Sequence, residues 1–309
     1  MTVAAPTARP GSRPGSRPGS RPGSRRRRGS RRTRGQAGWL GSLAAIGVFL
    51  ASVFPVYWML NTSLLPNRLI RNVEPTFFPV EPTLRNYAAL FLDGQFPFLL
   101  ALRNSLLVTV ITVAVALLFG FLAALAATRF AFLGRRAFIV IILVIQMIPG
   151  EAMIISLYSM LDSWQMLNTI RGLSLVYVAS VLPFTVWMLR GFVAGVPAEL
   201  EEAAQIDGCT KLGAFVRVTF PLMAPGLIST GVFGFIQAWN EFVLALVVMS
   251  RPESLTLPVW LRSFQQANRG TDWGAIMAGS MLMSIPVVIF FLIVQGRMTS
   301  GLVSGAVKG

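Results

Sequence analysis

The chain contains no histidine, one cysteine (Cys209) and only 12 acidic residues among 309. Without histidine, neither a Ser-His-Asp triad nor a His-bearing zinc site can be built, and a lone cysteine excludes an internal disulfide framework. A GxxxxGK-S/T phosphate loop is also missing: the closing GAVKG at 305–309 lacks the upstream glycine, so any ATP used must be hydrolysed by another chain. Charged residues of both signs make up 13% of the sequence and hydrophobic ones 54%, a balance that points to the bilayer as the main solvent.

The net charge of +15 belongs largely to one tail. Eleven of the 27 basic residues precede Trp39 with no acid among them, leaving 16 basic groups against 12 acidic ones on the remainder. The tail, residues 1–36, holds tandem Gly-Ser-Arg-Pro units from 11 to 22 and an arginine-rich run from 25 to 34. Its few apolar side chains cannot offset the entropy of ordering, so it is expected to be disordered. The long apolar run that follows, with no evident small-residue cleavage pattern, argues against a signal peptide.

Residues 37–309 read as one domain with six apolar segments, at 39–60, 98–127, 137–161, 173–192, 222–249 and 275–294. Each is long enough to cross a ~30 Å hydrocarbon core as a helix, so the expected fold is an all-α polytopic membrane protein with six transmembrane helices. The tail, Arg129, Arg135, Arg136, Arg190, Lys211, Arg217, Arg297 and Lys308 fall on one side, which the positive-inside rule makes cytoplasmic. Both termini are then expected inside a bacterial plasma membrane.

The longest polar connection on that side is 197–221, between the fourth and fifth segments. Pro197 suits a first helical turn, and Glu199, Glu201 and Glu202 favour the same N-terminal end. Asp207-Gly208 breaks this helix, and a second short one is expected over 210–219, ending at Pro221, with Leu212, Phe215, Val216 and Thr219 on one face. Physics alone leaves two readings, a helix pair lying on lipid or a knob that docks a partner.

Glu202-Ala203-Ala204, Gly208, Val218, Phe220 and Pro221 resemble the EAA signature of permease subunits of ATP-binding-cassette importers. Val218 and Phe220 stand where that signature has isoleucine and leucine. Shorter matches resemble the maltose-type carbohydrate permeases in particular: Asn86-Tyr87, Asn104-Ser105, Ile148-Pro149, Asp207-Gly208, Trp239-Asn240-Glu241-Phe242, Asp272-Trp273-Gly274 and the stretch 301–309. The resemblance covers about 39–309 and implies a type I importer architecture with no enzymatic activity or cofactor of its own. It implies as partners a second permease subunit, ATP-binding ATPase subunits and an extracytoplasmic solute-binding protein. Glu202, Ala203, Ala204, Asp207, Gly208, Phe215 and Pro221 become the candidates for coupling to the ATPase, and the outer loop 250–274 is expected to meet the binding protein rather than to be a solvated connection.

Ionisable groups inside spans are costly and usually face protein or a water-filled cavity. Counting ~1.5 Å per residue places Glu151 and Glu241 each roughly 20 to 28 Å from the cytoplasmic ends of their helices, where they could share one cavity. With Gln146, Gln237, Trp239 and Asn240 they form the candidate solute path, amides and carboxylates beside an aromatic ring suiting a polyhydroxylated solute. The same groups would equally serve to bond neighbouring helices. Pro149 and Gly150 suggest a break in the third segment.

The expected function is import of a sugar or small oligosaccharide by alternating access. Glycerol phosphate, polyamine or another small solute is the alternative cargo, and a secondary transporter using Glu151 or Glu241 as a proton carrier is a rival class. For the tail, membrane lipid is the expected contact and no specific nucleic acid is expected.

Overall fold

The computed structural model describes residues 36–92, 97–266 and 270–306; the basic tail, expected to be disordered, lies outside them. The chain divides into two units, one ending at Ser52 and one beginning at Val53. The described part of the first is the opening of the helix Gln36–Leu64, whose residues 41–50 are exposed and mostly apolar, as a lipid-facing surface would be.

In the second unit, Phe98–Arg129, Ile170–Gly195, Phe220–Asn240 and Trp273–Ala306 are long helices. With the first helix they make five that are continuous and apolar enough to span a bilayer. The remaining segment is broken: Arg135–Gln146 and Gly150–Ser163 meet at 87°, and count as a sixth span when taken together. Pro149 explains the break. It has no N–H to donate and disfavours helical geometry in the residue before it, and it sits in extended conformation with ψ 122°. The third segment, 137–161, is therefore two half-helices, with the break at the Pro149-Gly150 position where it was expected.

Two expectations change. The fifth helix ends at Asn240, and Val243–Val248 is a separate short helix, so 222–249 is not a single rod. Nor does Pro221 stop the second loop helix: Lys211–Ala214 passes through a π-helical turn, Phe215–Thr219, directly into Phe220–Asn240. A π turn is wider than an α turn, which relieves the clash of the Pro221 ring with the preceding turn and dispenses with the proline's missing N–H.

The second and fourth spans pack along most of their length, with the fifth across both. Gly120 lets them approach: a Cβ there would lie 2.6 Å from the Thr185 methyl. The main core joins Val108, Leu173, Tyr177, Phe235 and Trp239 to the fully buried Leu257 and Trp260. Phe235 stacks on Phe290 of the sixth span at 4.2 Å between ring centroids.

Several motif residues prove to be ties between spans and outer loops. The Asn104 side-chain amide donates to the carbonyls of Glu253 and Leu255, and Ser105 Oγ accepts from the amide of Leu257. The Asn86 side chain donates to the carbonyls of Ser63 and Leu65. Asn168, in left-handed conformation at φ 58°, accepts from the amides of Ser250 and Arg251. The outer loop is thus core through Leu257 and Trp260, and only then reaches a short antiparallel pairing of Gln265–Gln266 with Gly270–Thr271.

Candidate functional site

At one end of the bundle, Glu199–Ile206 forms the first helix of the polar loop. It closes at Gly208, whose φ of 92° lies where glycine is favoured, while the amides of Gly208 and Cys209 return to the carbonyls of Gln205 and Ala204. Thr210 then caps the next helix by accepting from the amide of Gly213 at 3.1 Å. The bend expected at Asp207-Gly208 is present, with both residues exposed.

Within this knob, Glu202 and Ala203 are exposed and Ala204 is half-buried. Phe215 turns inward against Phe121, and Phe220 meets the same ring edge-on at 5.9 Å. Leu200, Leu212, Val216 and Ile206 stay exposed, Ile206 at 87% and Leu212 at 72%. These apolar side chains are unusually open for a polar connection. Pro221 is exposed at the start of the fifth helix.

One residue of the knob was not among the candidates. Glu201 Oε1 accepts from Thr219 Oγ1 at 2.7 Å and lies 3.7 Å from the Arg129 guanidinium, which itself donates to the Val196 carbonyl at 2.8 Å. Helical spacing carried a partial signal, since Glu201 and the half-buried Ala204 share a face at i and i+3. Nothing in the spacing points to Thr219 or Arg129.

Deeper in the bundle, the break at Pro149 opens a cavity of about 580 Å³ lined by Gln146, Gly150, Ser180, Phe184 and Gln237 among others. Its polar lining is uncharged, made of amides and a hydroxyl. Glu151, placed beside Glu241 by helix counting, is exposed in the turn Gly150–Met153 and does not line this cavity. Trp239 is buried, and its indole N–H donates to the Met283 carbonyl, tying the fifth span to the sixth. Asn240 donates to the Ile236 carbonyl of its own helix.

Glu241 is committed locally. Its carboxylate accepts from the amides of Leu244 at 2.7 Å and Ala245 at 3.0 Å, and from the Tyr177 hydroxyl. It caps the short helix Val243–Val248 and faces a small cleft of about 70 Å³ that shares Ser180 and Gln237 with the larger cavity.

Apolar spans, one of them broken around an uncharged polar cavity, with a two-helix knob at one end, define a membrane transport permease. More particularly, the chain belongs to the family of binding-protein-dependent transport system inner membrane components, which matches residues 116–301. The diacetylchitobiose uptake system permease protein DasC of Streptomyces coelicolor is 46% identical over 269 residues, 87% of this chain and 96% of that one. The trehalose/maltose transport system permease protein MalG of Thermococcus litoralis is 32% identical over 272 residues, 86% and 95% of the two chains. In fold, the chain is similar to a solved bacterial ABC transporter involved in import of the acidic polysaccharide alginate. The TM-score is 0.70 at 22% identity, over 84% of this chain and 96% of that one.

Proposed function

We propose that this permease carries a neutral sugar or small oligosaccharide through the cavity at the broken third span. The observation that carries this is the lining: Gln146, Ser180 and Gln237 offer neutral donors and acceptors beside the Phe184 ring. That is the chemistry which exchanges a sugar's hydroxyl–water bonds for hydroxyl–protein bonds. A phosphorylated cargo would call for a cation in the lining and a polyamine for a free carboxylate. No lysine, arginine or carboxylate lines this cavity, and Glu241, which faces the adjoining cleft, already holds three donors. The relatives named for diacetylchitobiose and for trehalose and maltose support the same cargo class.

In this reading the importer comprises a second permease subunit, ATPase subunits and a solute-binding protein. Residues 37–309 are its permease domain, and residues 1–36 form a tail on the inner leaflet with both termini cytoplasmic. Residues 197–221 dock the ATPase through the exposed face that carries Leu212 and Val216, with Glu202, Ala203, Ala204, Asp207 and Gly208 shaping the docking helices. Phe215 and Pro221 join that face to the bundle.

The test is uptake of labelled disaccharides into proteoliposomes holding the complete importer. Uptake should require ATP and loaded binding protein, and Gln237→Leu should lower it without removing the ATPase subunits. Uptake driven by a proton gradient without ATP would overturn the reading in favour of a secondary transporter.

A further inference from the structure

Three span ends converge on one carboxylate. Arg129 closes the second span, Val196 follows the last turn of the fourth, and Thr219 lies in the π turn that runs unbroken into the fifth. Glu201 reaches the first of these through the guanidinium and the third through the hydroxyl, and Arg129 adds the second through the Val196 carbonyl. The side chains of Glu201 and Arg129 are 25% and 19% exposed, and Thr219 is fully buried.

Even a partly buried carboxylate favours being paired and hydrogen-bonded, and its partners hold it in a defined place. The second loop helix is already joined to the fifth span by unbroken helix and to the second by the group of rings Phe121, Phe215 and Phe220. Ring packing constrains register less tightly than a charge-assisted hydrogen bond does.

We propose that Glu201 is a positioning residue for energy coupling, locking the first loop helix to the ends of the second, fourth and fifth spans so that displacement of the knob moves all three together. This rests on the reading of 197–221 as the ATPase-docking surface. Glu201 itself does not touch the ATPase; the exposed face carrying Leu212 and Val216 does. Removing the lock leaves docking in place but lets the first loop helix shift without dragging the second and fourth spans, so ATP is hydrolysed with little transport.

The experiment uses the complete importer in nanodiscs or proteoliposomes and reads two quantities, ATPase subunits retained on purification and solute transported per ATP hydrolysed. Thr219→Val removes the donor at nearly constant shape, and Thr219→Ser keeps it. Glu201→Ala removes the hub, and Leu212→Glu tests docking alone. The expected result for Thr219→Val and Glu201→Ala is full ATPase retention with transport per ATP reduced about tenfold, the order of one charge-assisted hydrogen bond. Thr219→Ser should restore the wild-type ratio, which a loss of packing alone would not predict. If Leu212→Glu releases the ATPase while Thr219→Val transports normally per ATP, the lock is overturned and the docking reading stands. If neither Leu212→Glu nor Gly208→Val weakens ATPase retention, docking at this loop is wrong and the lock falls with it. Failure of Thr219→Ser to restore coupling would also overturn it, since the hydroxyl would then not be what matters.

Discussion

The Tyr177 hydroxyl of the fourth span donates to Glu241 Oε2 at 2.5 Å, while both oxygens of that carboxylate accept amides of the short helix after the fifth span. One ionisable residue therefore ends one helix, starts the next and binds a third. A carboxylate at a helix start meets the free amides and the positive end of the helix dipole together, which is why the chain tolerates it in an apolar span.

Glu241→Ala should accordingly destabilise the fold rather than merely alter cargo choice. It strands the amides of Leu244 and Ala245, at a cost of about 2 to 4 kcal/mol, whereas Tyr177→Phe removes one bond at about 1 to 2 kcal/mol. Thermal unfolding in detergent should rank wild type above Tyr177→Phe and that above Glu241→Ala. A Glu241→Ala protein as stable as wild type, with changed solute preference, would show that the carboxylate belongs to the solute path.

At Gly208 the expected penalty is backbone strain. A Cβ there meets nothing within 4 Å, but φ is 92°. Valine should cost about 1 to 2 kcal/mol or more and open the bend, whereas asparagine, which tolerates left-handed geometry, should cost less. Gly208→Asn should retain more transport per ATP than Gly208→Val, with membrane insertion equal for both; equal transport by all three proteins would refute a need for this bend.

In the outer loop, two changes separate scaffold from contact surface. Trp260, buried against Phe98 and Phe264, should cost about 3 to 5 kcal/mol when replaced by alanine. Deleting 265–269 should leave thermal stability nearly unchanged but weaken stimulation of the ATPase by loaded solute-binding protein. Unchanged stimulation would place the binding-protein contact elsewhere.

For the basic tail, removal of residues 2–30 should leave transport nearly unchanged while reducing salt-sensitive binding to anionic vesicles, each arginine near the surface contributing ~1 kcal/mol. Vesicle co-sedimentation at low and high salt checks this, and a truncated protein that inserts correctly but does not transport would refute it.

How much of this was legible in the sequence depends on the range of the interaction involved. The spans at 98–127 and 173–192 could be read directly, because crossing hydrocarbon requires about 20 consecutive apolar helical residues and local composition reports it. The bend at Gly208 and the break at Pro149 were legible for the same reason: backbone sterics act on the residue itself and its immediate neighbours. Tertiary structure alone decided where polar side chains point. Glu151 and Glu241 look equivalent along the chain, yet one is exposed in a 3-10 turn and the other caps a helix against Tyr177, 64 positions away. Glu202 stood out through its motif, while its neighbour Glu201 turns inward to Thr219 and Arg129. Pro221 read as a stop because a proline inside an α-helix normally is one, and a π turn lets the helix run on. Hydropathy places segments in the membrane, but partners for buried charges are found only when spans distant in sequence meet.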